Sequence, residues 1–261
     1  KLCHVALPSS NGCGEIWVAP IGVPDSLLPQ DASALHVITG QRLHPVFQSR
    51  EASAHKGHFG RIFILAGSKG KSGAASMSGL AALRSGAGLV TVGVPQGGQA
   101  ITAGYSPEYM TEGLPESVDG TFTAEVADII LSKTSSIDVL AIGPGIGTSS
   151  GVVQGLKKIL EHWPLPLVLD ADALNCLAAF HLKIPFQEGR PVVLTPHPGE
   201  MARLAGTSID EIQADRIAAA RNVAVKGGFY VILKGARTDI ACPRGKTYLN
   251  VTGNPGMATG G

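Results

Sequence analysis

The chain has almost no excess of charge of either sign: 21 lysines and arginines stand against 20 aspartates and glutamates, a formal net charge of +1. No overall field therefore draws it to nucleic acid or to an anionic membrane surface. It has no apolar run of membrane-spanning length, and the apolar part of its opening "KLCHVALPSS" is too short for a signal peptide. Its four cysteines, Cys3, Cys13, Cys176 and Cys242, lie far apart, with no CxxC and no Cys/His pair at zinc-ligand spacing. Neither a structural metal nor a disulfide framework is indicated, and a reducing cytoplasm fits. An initiator methionine is missing too, and the last residues "NVTGNPGMATGG" form a glycine-rich loop with no helix after it. The sequence thus reads as a fragment whose partner is a small molecule, with no nucleic acid and no membrane.

What the chain does have is glycine and proline, 34 and 17 of them, set between apolar runs instead of in one tract. That distribution predicts many tight loops joining regular elements. With 261 residues and 44% hydrophobic content, one large α/β domain with an appended piece is expected. "EIWVAPIGV" (15–23) reads as a short strand ending at Pro24, and the stretch from Asp25 to Ala54 shows no sustained period. From Arg61 the pattern becomes regular. "RIFILAG" is a buried strand, Ser72 to Ser85 a small-residue helix, and "GLVTVGV" the next strand. Further strands are expected at 138–143, 165–171, 190–195 and 229–235, with helical stretches around 150–161, 172–180 and 208–226. Strand, helix, strand order requires a right-handed crossover, hence a mostly parallel sheet covered on both faces. "TDIACP" and "KTYLNV" flank "RG" as a hairpin near an edge.

The strand ends carry the unusual residues: "GSKGKSG", "GPGIG", "DADALN", "TPHPGE" and "KGART". Ligands of open α/β sheets bind outside the carboxyl ends of the strands, so five such loops on one edge make one site. "AGSKGKSGAA" (66–75) is not a phosphate loop, because Leu65 stands where the motif needs its first glycine. "GPGIG" (143–147) is not a dinucleotide fingerprint, because Thr148 occupies the third glycine position. Asp172 sits at or near a helix N-cap and could serve only there, or with Asp170 could hold Mg²⁺. His197 and Glu200 stand three apart at a helix start, as a cap or as a substrate or Mg²⁺-water pair. Lys234 at its strand end can meet phosphates or complement surface acids.

Taken together, "HKGHFGRIFILAGSKGKSGAA", "ALRSGAGLVTV", "IGPGIG", "LDADALN", "TPHPGE", "LKGART" and "GNPGMATGG" resemble, in order, the ADP- or ATP-dependent NAD(P)H-hydrate dehydratase family. The resemblance runs from about Ala54 to Gly261 and implies a ribokinase-like three-layer α/β sandwich. "GEIWVAPIGVPDSLL" is similar to the end of the epimerase domain that precedes the dehydratase in bacterial fusions. Residues 1–28 are then an epimerase-like tail, 29–53 a linker and 54–261 a dehydratase domain incomplete at its C-terminus. The implied reaction repairs hydrated NAD(P)H: a nucleotide phosphoryl group passes to the hydroxyl of the S-form hydrate, and phosphate then leaves. By the same resemblance Ala74, Gly147 and His197 contact the hydrate, and Lys234, Gly235, Ala236, Arg237 and Thr238 bind ADP or ATP. Glu200 falls at the acid associated with Mg²⁺, and Asn254 and Gly256 support the anion-hole loop. The family's catalytic Asp is expected beyond Gly261, so little turnover is expected of these 261 residues alone. A homo-oligomer is the expected assembly. A hydroxymethyl or sugar kinase of the same fold, and a non-catalytic nucleotide sensor, are the competing readings.

Overall fold

In the computed structural model the described residues are 4–6, 9–27, 35–47 and 49–257. The first elements are β1 (Leu35–Val37), α1 (Gly40–Leu43), β2 (Arg61–Leu65), α2 (Ser72–Arg84), β3 (Leu89–Pro95) and α3 (Gln99–Ala103). They are followed by β4 (Met110–Leu114), α4 (Val126–Leu131), β5 (Val139–Ile142), α5 (Ser150–His162), β6 (Leu167–Leu169) and α6 (Asp172–Ala179). Then come β7 (Val192–Leu194), α7 (Pro198–Ala205), α8 (Ile209–Ala214), α9 (Arg216–Gly227), β8 (Tyr230–Leu233), β9 (Thr238–Ala241) and β10 (Thr247–Asn250). All ten strands join one sheet in the order β1-β10-β9-β8-β7-β6-β5-β2-β3-β4. Only β9 runs against the rest, pairing antiparallel with β8 and β10 as the expected hairpin.

The order reverses between β2 and β5. From β2 the chain steps through β3 to β4 at one edge; from β5 it steps through β6 and β7 to β8 in the other direction. Right-handed crossovers therefore put α2 and α3 on one face and α4 to α9 on the other. The two cores follow this division. Ile64, Ala66, Val90, Val92 and Val94 pack with Ala75 of α2. Phe63 and Leu65, the alternate residues of β2, pack with Leu140, Ile142, Leu156, Ile159 and Leu160. The helix-bearing pattern is plain in α5, where Val152, Leu156, Ile159 and Leu160 are buried; Pro164, just past its C-cap Trp163, disfavours helical backbone at that cap.

Some expectations need correction. The 208–226 stretch is two helices, broken at Asp215, whose carboxylate accepts the Ala218 N–H and caps α9. Residues 15–23 form no strand; Trp17, Val18 and Ile21 are 83%, 92% and 87% exposed, with no pairing among the described residues. Leu35–Val37, inside the segment expected to be a linker, pairs in parallel with β10 at the sheet edge. The strand β4 and the short helices α3 and α4 lie outside the elements expected from the sequence. Residues 258–261, with the end of "GNPGMATGG", lie outside the described residues.

Candidate functional site

Because β2, β5, β6, β7 and β8 are parallel, the five loops that follow them meet on one edge, at the reversal of strand order where open α/β sheets bind ligands. Hydrogen bonds sew them together. After β2, the Gly67 N–H donates to the Pro144 carbonyl at 2.7 Å, and Ser68 Oγ to the Gly145 carbonyl at 2.7 Å. The Lys69 and Lys71 N–H groups are also taken, by the carbonyls of Gly120 and Ser68. These three amides are engaged within the protein and are not free to cradle a phosphate.

The loop after β5 needs glycine where it crosses β6. Gly143 has φ +138°, and a Cβ there would lie 1.7 Å from the Asp170 carbonyl oxygen. Its far end is held by Asp172, whose carboxylate accepts the Gly147 N–H at 2.9 Å and meets Lys71 Nζ at 3.5 Å. Asp172 is thus the first residue of α6 and a clasp for the neighbouring loop; the cap position itself is Ala171, at φ +47°.

Asp170 turns the other way. Its carboxylate accepts Thr195 Oγ1 at 2.8 Å and Lys234 Nζ at 2.7 Å. The same ammonium lies 3.8 Å from Glu200, while the Lys234 N–H donates to the Pro196 carbonyl. Lys234 therefore complements acids in this structure. Glu200 is buried, and its carboxylate accepts the His197 N–H at 2.8 Å. In return His197 Nδ1 accepts the N–H groups of Gly199 and Glu200, so the pair is a reciprocal cap on α7. The imidazole remains half-exposed, with Nε2 3.4 Å from Glu200.

Two hollows flank this chain of contacts. One, of about 530 Å³, is lined by Lys71, Ala74, Met77, Gly145, Asp170 and Asp172. The other, of about 430 Å³, is lined by Pro198, Gln213, Arg216, Gly235, Ala236 and Arg237. Ala74 thus lines the first hollow, and Gly147 is tied to it through Asp172 without lining it; Gly235 to Arg237 line the second, and His197, Glu200 and Lys234 lie near Asp170 between them. Thr238 closes the turn, its Oγ1 donating to the Gly235 carbonyl. Arg237 Nη1 donates to the Val251 carbonyl at the start of the last loop. There Gly256 donates its N–H to Asn254 Oδ1, so both expected supporting residues form one local turn.

Burial pushes the thiol of Cys176, behind Gly147 on α6, up to about 11, with Asp172 adding to the shift. It stays protonated and is no nucleophile. Among the described residues no group of three or more His, Cys, Asp or Glu side chains could hold a metal ion. Glu200 and Asp170 instead share a lysine, so the side chains present do not fit a preformed Mg²⁺ cage. Mg²⁺ commonly binds through one or two carboxylates together with nucleotide phosphates.

A mostly parallel sheet with its ligand loops gathered at the strand reversal places the chain among the ribokinase-like α/β proteins. The family model for NAD(P)H-hydrate dehydratase matches residues 62–261. The chain is 44% identical over its whole length to the bifunctional NAD(P)H-hydrate repair enzyme Nnr of Moorella thermoacetica, covering 49% of that protein. It is 39% identical over 227 residues to the ADP-dependent (S)-NAD(P)H-hydrate dehydratase of Neisseria meningitidis, covering 85% of this chain and 72% of that one. A crystal structure of the ADP/ATP-dependent NAD(P)H-hydrate dehydratase of Bacillus subtilis, grown with ATP/Mg²⁺, superposes with a TM-score of 0.69. That match has 31% identity and covers 86% of this chain and 76% of the other. The chain belongs to the NAD(P)H-hydrate dehydratase family. It spans about half the length of the bifunctional relatives it matches.

The sequence named the five loops that meet at this edge but not the segment from Gln213 to Ile217, with Arg216, that also lines the second hollow. A single arginine at a helix start carries no pattern that marks it.

Proposed function

We propose that the protein's full chain dehydrates the S form of hydrated NAD(P)H at the expense of ADP or ATP, returning NAD(P)H. The observation that carries this reading is the pair of hollows at one sheet edge, joined through Asp170, Lys234 and Glu200. In it the hydrate occupies the hollow at Ala74 and extends to Gly147 and the His197 ring, which lie outside that hollow's lining. The nucleotide lies along Lys234, Gly235, Ala236, Arg237 and Thr238, and brings Mg²⁺ with its phosphates near Glu200. Phosphoryl transfer is mainly positioning and charge stabilisation, and the glycine-rich turns and the Lys234 ammonium supply both. On nucleotide binding, Lys234 exchanges part of its contact with Asp170 for phosphate.

No carboxylate described at the first hollow is placed as a free base. Asp170 is held by Thr195 and Lys234, and Asp172 by the Gly147 N–H. We therefore expect the 261-residue chain by itself to show little turnover. The reading includes an epimerase-like tail over 1–28, a connecting segment over 29–53 that lends the edge strand Leu35–Val37 to the sheet, and a cytoplasmic homo-oligomer, whose assembly light scattering of the full chain checks.

The deciding assay gives the full chain NAD(P)H hydrate with ADP or ATP and follows reduced nicotinamide and inorganic phosphate. Both products should appear together. Accumulation of a phosphorylated hydrate without phosphate release would move the protein to the kinases; binding without turnover would make it a sensor.

A further inference from the structure

Arg216 opens α9 and reaches beneath the turn that joins β8 to β9. Its Nε donates to Asp239 of β9 at 3.0 Å, and its Nη1 to Gln213 at 3.1 Å. Its Nη2 lies 3.0, 3.2 and 3.3 Å from the carbonyl oxygens of Leu233, Lys234 and Arg237. Those three carbonyls bracket the turn. Asp239, which anchors the guanidinium from behind, has a side chain 3% exposed. The turn lies directly on the arginine: a Cβ on Gly235 would come 2.7 Å from Nη2. The N–H groups of Gly235, Ala236 and Arg237 donate to no backbone carbonyl among the described residues. With its carbonyls bound to Arg216, the turn keeps these amides unpaired beside the 430 Å³ hollow that the same residues line.

We infer that Arg216, braced by Asp239, is the positioning residue of the nucleotide hollow, fixing the turn so that its unpaired amides are set for an anionic nucleotide. This rests on the nucleotide-dependent reading above. One planar guanidinium serves several acceptors at fixed angles, which an ammonium of the same charge does not reproduce. Arg190 provides a matched comparison. It is also a buried guanidinium bound to carbonyls, those of Leu160, Trp163 and Pro185, but it ties α5 to the segment before β7.

The test uses the full chain carrying Arg216→Lys, Asp239→Asn or Arg190→Lys. ADP and ATP affinity are read by calorimetry, KM and kcat by turnover, and amide exchange over 234–238 by mass spectrometry. Arg216→Lys keeps the charge opposite Asp239 and should fold; loss of two or more charged hydrogen bonds at the turn should weaken nucleotide binding by about tenfold or more. Nucleotide KM should rise with it, while the KM for the hydrate holds. Asp239→Asn, which retains an acceptor for Nε, should show the same pattern more weakly. Arg190→Lys should lower Tm and leave nucleotide affinity unchanged. Equal nucleotide affinity in Arg216→Lys and wild type overturns the inference, as does an equal loss in Arg190→Lys. If the wild-type chain binds neither ADP nor ATP, the nucleotide reading falls. Exchange over 234–238 then still decides whether Arg216 holds the turn: faster in Arg216→Lys than in Arg190→Lys supports it, and equal rates refute it.

Discussion

At the scale of single residues, the site is recognisable by strain and by shared acids. Ala171 has φ +47° and ψ −117° without being glycine, at the rim of the hollow lined by Ala74. Such backbone costs about 1–3 kcal/mol and persists where surrounding contacts enforce it. Ala171→Gly should therefore raise stability by about 1 kcal/mol, less whatever flexibility glycine adds to the unfolded chain, and Ala171→Val should lower it. Denaturant melts of the two variants check this; equal or reversed shifts would mean that the turn is unstrained. Away from the site, Arg61 donates to Asp138 from its side chain and its N–H, and these bonds hold the carboxyl below its ordinary range. A depressed folded-state value means that the stabilisation is present above the ordinary aspartate range and is lost as pH falls through the folded value. Wild type and Asp138→Asn should differ in Tm at neutral pH and converge in acid, by a small amount because the pair is exposed. The acids of the site could be named from the sequence, because strand ends betray them. Their division of labour could not. Nothing in "LDADALN" says that Asp170 turns to Lys234 while Asp172 turns to Gly147, since that depends on where two other strands end.

At the scale of elements, α7 opens on a residue whose structural role is met in full while half of its side chain stays exposed. His197 was legible both as a cap and as a substrate contact, and the capping role is met in full by its Nδ1 and by Glu200. His197→Ala should cost about 1 kcal/mol through loss of the cap, whereas His197→Asn, a strong N-cap residue, should keep most of it. If the exposed half of the His197 side chain also touches substrate, His197→Asn will melt near wild type and still show a raised KM for the hydrate. A variant that melts and turns over like wild type would confine His197 to the cap. The same scale explains what was legible in the fold. β2, β3 and β5 announce themselves as apolar runs because helices cover both their faces; β7 and β8 carry Val, Ile and Leu runs although helices cover only one of theirs. β1 does not, since a three-residue edge strand is set by its pairing with β10 and not by its own pattern. The error at 15–23 has the converse cause. "EIWVAPIGV" has strand composition, but composition makes a strand only where a partner supplies the ladder, and its large side chains are exposed here.

At the scale of the whole molecule, the strand reversal that builds the site also leaves the sheet unevenly covered. α4 to α9 all lie on one face, where Leu167, Leu169, Val192, Leu194, Val231 and Leu233 are between 0% and 3% exposed. On the other face α2 and α3 reach only the β2 to β4 half. Val168 and Val193, paired across β6 and β7, and Ile232 and Ile240, paired across β8 and β9 and offset by two residues from Tyr230, the β8 partner of Val193, are only partly buried, with no helix over them among the described residues. Apolar surface of this kind binds other apolar matter, whether dye, partner or another copy. The 261-residue chain by itself should therefore bind a hydrophobic dye and aggregate on warming, before a cooperative melt is complete. Val168→Thr with Val193→Thr should reduce dye binding while leaving the circular dichroism of the sheet in place, because neither side chain reaches the larger core. A sharp reversible melt without dye binding by the unsubstituted chain would show that this face is covered in solution.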